Sequence, residues 1–187
     1  MTAATGLIVV SDIFGRTPEL QDLTSELSAA GYGQSHIIDP YGGLTINFDS
    51  EQDAYQYFQN HSSIEKLGES LLEKISRSDC ISDLVGFSVG ASAIWFLSEA
   101  QCSRQINRAV GFYGSRIRNM LDKNPRFKIQ LIFPAHESHF DVRQLALEAS
   151  GKTNVQCVET TFLHGFMNRK SDNFDAAGYR EFIDRIK

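Results

Sequence analysis

The chain has 187 residues, 42% of them hydrophobic, with 14 glycines and a formal net charge of −5. That length favours one domain, 1–187, with a sizeable core. The acidic balance, with no basic run interleaved with aromatics, excludes a general nucleic-acid binder. No Lys or Arg precedes the first apolar run, which is too short for a signal or membrane segment, and Cys80, Cys102 and Cys157 lack C-x-x-C spacing. The expected setting is therefore the cytoplasm, with reduced thiols and no membrane partner.

Gly6–Val10 is an unbroken apolar run that predicts a strand covered on both faces. Ser11-Asp12-Ile13-Phe14-Gly15-Arg16-Thr17-Pro18 follows, in which Thr17 suits a helix N-cap and Pro18 the first turn. Leu20, Leu23, Leu27 and Ala30 mark the buried face of that helix, and Gly31 is expected to end it. Residues 35–40 predict a second strand and 41–50 a loop around Gly42-Gly43. Residues 51–59 and 63–76 predict helices, the second lined inside by Ile64, Leu67, Leu71 and Ile75. A strand through Leu84-Val85-Gly86-Phe87 then meets a helix carrying Val89, Ala93, Phe96 and Leu97. Beyond it, 109–112 predicts a strand ending in Tyr113-Gly114, and 115–121 one or two helical turns. Lys128–Phe133 reads as a strand, Val142–Ser150 as a helix and 155–158 as a strand. A C-terminal helix over about 175–186 buries Tyr179, Phe182 and Ile186.

Strands alternating with helices at this spacing predict an α/β fold: a mostly parallel, doubly wound sheet with helices on both faces. Ligands of such sheets bind at the carboxyl ends of the strands, so the residues just after each strand are the ones that carry chemistry.

The stretch Gly86-Phe87-Ser88-Val89-Gly90 sits between predicted strand and helix, the setting of a nucleophile elbow. A sharp bend there exposes the Ser88 hydroxyl, the residue after it offers a backbone N–H to an oxyanion, and the helix adds the positive end of its dipole. A serine needs a base. Of five histidines, His36 lies inside a predicted strand and His61 at a helix boundary. His164 follows the last strand, where the base falls if the order is serine, acid, histidine. The acid belongs on the loop after 128–133, where Glu137 and Asp141 are candidates, ahead of Asp172 and Asp175. His136-x-x-His139 with Glu137 suggests a metal, but the spacing lacks the helical H-E-x-x-H register. The second oxyanion donor should come from the loop after the first strand, which nominates Ile13 beside Val89.

Together these residues resemble the dienelactone hydrolase family of α/β-hydrolases. The resemblance rests on Asp12-Ile13-Phe14-Gly15, on the elbow Gly86-Phe87-Ser88-Val89-Gly90-Ala91, on His164-Gly165-Phe166 with Arg169, and on the turn Asp39-Pro40-Tyr41-Gly42. It covers nearly the whole chain. It implies an α/β-hydrolase fold without a cap domain and shortened at the N-terminus, because the chain starts at the strand that carries the oxyanion loop. It also implies a Ser88–His164–Glu137 triad, an oxyanion hole from Ile13 and Val89, and substrate contacts from Asp12, Phe14 and Arg169, with Asp12 close enough to tune the resting nucleophile.

Three departures stand out. Dienelactone hydrolases proper use cysteine where this chain has Ser88; the leading strands are missing; and the family's Gly-x-x-Asp appears as Ala135-His136-Glu137-Ser138. Either Glu137, one position earlier and one methylene longer, reaches His164, or the acid is absent. The expected activity is serine hydrolysis of a small ester, lactone or thioester with no metal or organic cofactor. The partner would be a small-molecule acyl substrate, which Arg16, Arg116 or Arg169 could bind through a carboxylate; the protein would be a monomer or homodimer. The alternative is a catalytically impaired hydrolase fold kept for binding or scaffolding.

Overall fold

The computed structural model describes residues 5–187. Six strands, β1 (Gly6–Val10), β2 (Ser35–Ile38), β3 (Ser82–Phe87), β4 (Ile106–Phe112), β5 (Lys128–Phe133) and β6 (Val155–Glu159), form one sheet in the order β2-β1-β3-β4-β5-β6. Every neighbouring pair is parallel. Six helices connect them: α1 (Pro18–Ser28), α2 (Glu51–His61), α3 (Ile64–Ser76), α4 (Val89–Phe96), α5 (Val142–Ser150) and α6 (Ala176–Ile186).

The unbroken apolar strands are explained by two cores, one on each face of the sheet. Along β1 the side chains alternate. Ile8 and Val10 join Leu84, Ile129 and Leu131 under α2, α3, α4 and α5, whereas Leu7 and Val9 join Val85, Phe112 and Ile132 under α1 and α6. The amphipathic stripes do the matching work: Leu67, Leu71 and Ile75 of α3 on one side, Leu23 and Leu27 of α1 with Tyr179, Phe182 and Ile186 of α6 on the other. The capping oxygens act as expected. Thr17 Oγ1 accepts the Leu20 N–H at 3.2 Å, and Asp175 Oδ1 accepts those of Ala177 and Gly178 at 2.9 and 2.8 Å.

Several boundaries differ from the sequence-based expectation. Strand β4 starts at Ile106, three residues early, because Asn107 Nδ2 and Arg108 Nε both donate at 2.8 Å to the buried Asp83 carboxylate and so belong to the sheet despite their polarity. Strand β2 stops at Ile38, since Asp39 Oδ1 accepts the Tyr41 N–H at 2.9 Å and turns the chain. Helix α1 ends at Ser28, before the left-handed Gly31. A short 3₁₀ turn at Gln101–Gln105 had no sequence signal, and Ser115–Asn119 is also 3₁₀.

Helix α4 is the buried centre of the fold, with Val89 through Trp95 all buried. Its first turn lies against the end of β1 so closely that a Cβ on Gly90 would collide with the carbonyl oxygens of Val10 and Ser11. Backbone on both sides leaves nothing to move aside. Gly90→Ala should therefore cost about 3 kcal/mol of stability, read as a lower urea midpoint at unchanged m-value; an unchanged midpoint would show that the approach is looser than this.

Candidate active site

Ser88 joins β3 to α4 with φ 50° and ψ −109°, a left-handed conformation that a serine adopts only under constraint. Its N–H donates to the Phe112 carbonyl at 2.9 Å, and its carbonyl accepts both the N–H and the hydroxyl of Ser92 at 3.1 Å. With both backbone groups engaged, the hydroxyl projects from the carboxyl end of the sheet into an open cleft of about 380 Å³.

Two further loops reach the same rim. The loop after β6 carries His164, whose carbonyl accepts from Asn173 Nδ2 at 2.9 Å and whose ring packs on Tyr113 with centroids 4.7 Å apart. The loop after β5 carries Glu137. Ala135 N–H donates to the Phe162 carbonyl at 2.7 Å, which ties the two loops together. The result is a continuous chain: Glu137 Oε1 lies 2.6 Å from His164 Nδ1, and His164 Nε2 lies 3.1 Å from Ser88 Oγ. An ionised carboxylate only accepts, so Nδ1 carries the proton, and Nε2 is left as acceptor for the serine hydroxyl. His164 and Glu137 side chains are 25% and 15% exposed, low enough that the pair is poorly screened.

The other acidic candidates are elsewhere. Asp141 Oδ1 caps α5 by accepting the N–H groups of Arg143 and Gln144, Asp175 caps α6, and Asp172 is exposed. His36 sits within β2 and His61 stacks on Tyr57 at 3.9 Å. His136 is exposed and His139 lines the cleft; among the described residues no group of three or more His, Cys, Asp or Glu could hold a metal ion. Nor is any described helix long and apolar enough to cross a membrane.

Ile13 and Val89 both line the cleft beside Ser88, and neither backbone N–H has a hydrogen-bond partner among the described residues. Two unengaged amides beside a serine hydroxyl are what a tetrahedral oxyanion needs.

The three residues expected to touch substrate are differently placed. Phe14 is buried in the core, and its backbone N–H donates to Asp12 Oδ1 at 2.9 Å. Arg169 is stacked over the Tyr179 ring at 5.0 Å, and with Asp12 it borders a separate cavity of about 20 Å³. Neither Phe14 nor Arg169 lines the cleft at Ser88. In their place stand Arg116, Arg118, Tyr55 and Phe140. Arg116 Nη2 donates to the Tyr55 hydroxyl at 2.7 Å, and the Arg118 guanidinium lies 4.8 Å above the Phe140 ring. Arg116 was among the sequence candidates; Arg118, Tyr55 and Phe140 carried no local signal, because their meeting at the cleft depends on loops and α2 coming together in space.

Asp12 accepts from Phe14 N–H and, at 2.6 Å, from Asn168 Nδ2. Burial pushes its pKa up to about 6, against the pull of these two hydrogen bonds and of nearby His164. A raised carboxyl pKa means that stability is full below the unfolded-state value and is lost as pH rises through the folded-state value. Wild type should therefore lose up to about 3 kcal/mol relative to Asp12→Asn between about pH 4 and pH 7, measured by urea denaturation. A difference that does not change with pH would contradict this.

Comparison with known proteins bears on the family and the fold. A family model described as the dienelactone hydrolase family matches residues 2–185. A Bacillus subtilis (strain 168) protein of uncharacterised function, YczH, is 28% identical over 187 residues, covering 97% of this chain and 90% of its own. A candidate dienelactone hydrolase of Klebsiella pneumoniae subsp. pneumoniae superposes with TM-score 0.75 at 16% identity, covering 98% of this chain and 85% of that one. A dienelactone hydrolase-like promiscuous phosphotriesterase from metagenomic libraries gives 0.68 at 12% identity, covering 97% and 85%. The fold is that of the α/β-hydrolases, and no cap domain interrupts it among the described residues.

Proposed function

This chain belongs to the dienelactone hydrolase family, which makes it a hydrolase, and we propose that it cleaves small carboxylic esters, lactones or thioesters through Ser88, His164 and Glu137. The observation that carries this reading is the unbroken hydrogen-bond chain from Glu137 through His164 to the Ser88 hydroxyl. It favours Glu137 as the acid that the Ala135-His136-Glu137-Ser138 run left open, and it weighs against an impaired scaffold.

The chemistry follows from the geometry. Ser88 Oγ attacks the carbonyl carbon while His164 Nε2 takes its proton, and the tetrahedral oxyanion accepts the N–H groups of Ile13 and Val89. Collapse breaks the bond to the leaving oxygen or sulfur, which receives that proton from the imidazolium. Water, deprotonated by His164, then attacks the acyl-enzyme; collapse breaks the bond to Ser88 Oγ, which takes the proton back from the imidazolium, and the acid product leaves. Glu137 holds the tautomer and stabilises the imidazolium in both halves.

The substrate we propose carries an anionic group. Arg116 and Arg118 face the cleft, and neither is paired with a carboxylate among the described residues. In a protein of net charge −5, two unpaired guanidiniums beside the nucleophile favour a carboxylate or phosphate on the acyl compound. The working location is the cytoplasm.

Hydrolysis of p-nitrophenyl acetate and of a p-nitrophenyl monoester of a dicarboxylic acid tests both parts. In Ser88→Ala and His164→Ala, kcat should fall by about 10⁴-fold or more. Glu137→Gln, which keeps the shape but not the charge, should cost about 10³–10⁴-fold; turnover retained in Ser88→Ala sinks the mechanism. Separately, Arg116→Ala combined with Arg118→Ala should raise KM for the anionic ester about tenfold and leave that for the neutral ester alone. Equal effects on the two esters would remove the arginines from substrate recognition.

A further inference from the structure

The loop that carries Ile13 is held from outside by a residue that does not line the cleft at Ser88. Two peptide units flank Ile13, and they contain four polar atoms. The Asp12 carbonyl accepts the Gly15 N–H at 3.2 Å and the Ser11 hydroxyl at 3.0 Å. The Phe14 N–H donates to Asp12 Oδ1 at 2.9 Å. The Ile13 carbonyl accepts the Tyr41 hydroxyl at 2.6 Å. The Ile13 N–H alone has no partner among the described residues. Because a trans peptide points its N–H opposite to its C=O, the held Asp12 carbonyl sets the direction of the Ile13 N–H within its own unit, while the Tyr41 hydroxyl and the Asp12 carboxylate hold the next unit and so the Cα of Ile13 that joins the two.

Tyr41 is built to exert that hold. It is buried, and its own N–H is anchored at 2.9 Å on Asp39 Oδ1, which also accepts the Gly43 N–H at 3.1 Å. Its ring is wedged edge-on against Tyr57, with centroids 5.2 Å apart, and lies 6.0 Å from Phe48. The oxyanion loop is shaped to receive it: Gly15 has φ +72°, and a Cβ there would come within 2.8 Å of the Tyr41 ring. Burial, and then the neighbouring Asp12 carboxylate, push the phenol's pKa well up, so it stays a neutral donor across the working pH range.

We propose that Tyr41 is a positioning residue for catalysis: its hydroxyl, bonded to the Ile13 carbonyl, holds Ile13 in place so that the N–H of the adjoining peptide unit meets the oxyanion. The proposal rests on the serine-hydrolase reading above. Displacement of the Ile13 Cα, which joins the held 13–14 unit to the 12–13 unit bearing the N–H, is what the phenol prevents, and a donor moved away from the oxyanion is worth little to the transition state and nothing to the ground state. The signature is thus a loss in kcat without a loss in KM.

The test is Tyr41→Phe, which removes one oxygen and keeps the ring. Active sites are counted by titration with a fluorophosphonate, so that misfolded protein does not contribute. On p-nitrophenyl acetate, kcat per titrated site should fall about tenfold, with KM within twofold of wild type. The inhibition constant of an alkyl trifluoromethyl ketone, whose serine adduct bears the oxyanion, should rise by a similar factor. Replacing Tyr41 by p-aminophenylalanine, which restores a donor, should recover most of the rate. In wild type the Ile13 amide proton should move downfield on ketone binding, a reading that needs no variant to fold. Unchanged kcat per site in Tyr41→Phe, or an Ile13 amide that the ketone does not move, overturns the proposal. Wild type without ester turnover, or active as Ser88→Ala, overturns the serine mechanism and this inference with it, and that outcome is visible before any Tyr41 variant is made.

Discussion

The backbone bend at Ser88 is the constraint on which the rest of the site depends. A left-handed serine between a buried strand and a buried helix costs on the order of 1–3 kcal/mol. It is held by backbone hydrogen bonds to Phe112 and Ser92 and by the packing of α4 into the centre of the fold. The contact between Gly90 and the Val10 and Ser11 carbonyls does more than permit close packing. It locks the start of α4, which supplies the Val89 amide, to the end of β1, which runs into the Ile13 amide. One backbone contact therefore sets the separation of the two candidate oxyanion donors.

From that bend the site extends across the sheet by parallel register. Strands β3, β5 and β6 all run the same way, so the loops that follow them rise at one rim. The loops are tied to one another as well as to the sheet: Ala135 donates to the Phe162 carbonyl, and the Thr160 hydroxyl donates at 2.9 Å to that of Phe133. These cross-links bring a glutamate and a histidine 27 residues apart within 2.6 Å. The imidazole has Tyr113 against its side, so its orientation is limited by packing as much as by the carboxylate. Arrangement of polar groups before substrate arrives is what lets such a site stabilise charge without reorganising.

Much of this was legible in the chain because local rules and the global fold agree. Gly6–Val10, Lys128–Phe133 and Val142–Ser150 have the boundaries their patterns predict. The elbow, the late histidine and the acidic loop could be placed because a parallel sheet puts strand-end residues on one rim. What escaped was information held between distant segments. The start of β4 was hidden because Arg108 and Asn107 look like surface residues until Asp83 is seen buried beside them. Phe14 and Arg169 were expected at the substrate, but one is buried in the core and the Tyr179 ring holds the other. Tyr41 read only as part of a turn, since its partner is the Ile13 carbonyl, 28 positions back. Family resemblance named the motifs; it took coordinates to show that Glu137 Oε1 lies 2.6 Å from His164 Nδ1.

The central claim is that Ser88 is a nucleophile activated by His164. The measurement that tests it most directly is reaction of the folded protein with a fluorophosphonate, followed by peptide mass spectrometry to locate the adduct and a pH titration of the labelling rate. The account predicts a single adduct on Ser88, formed at a rate that falls as the imidazole protonates and is lost in His164→Ala. An adduct on another residue, or no adduct on protein shown to be folded, would contradict it.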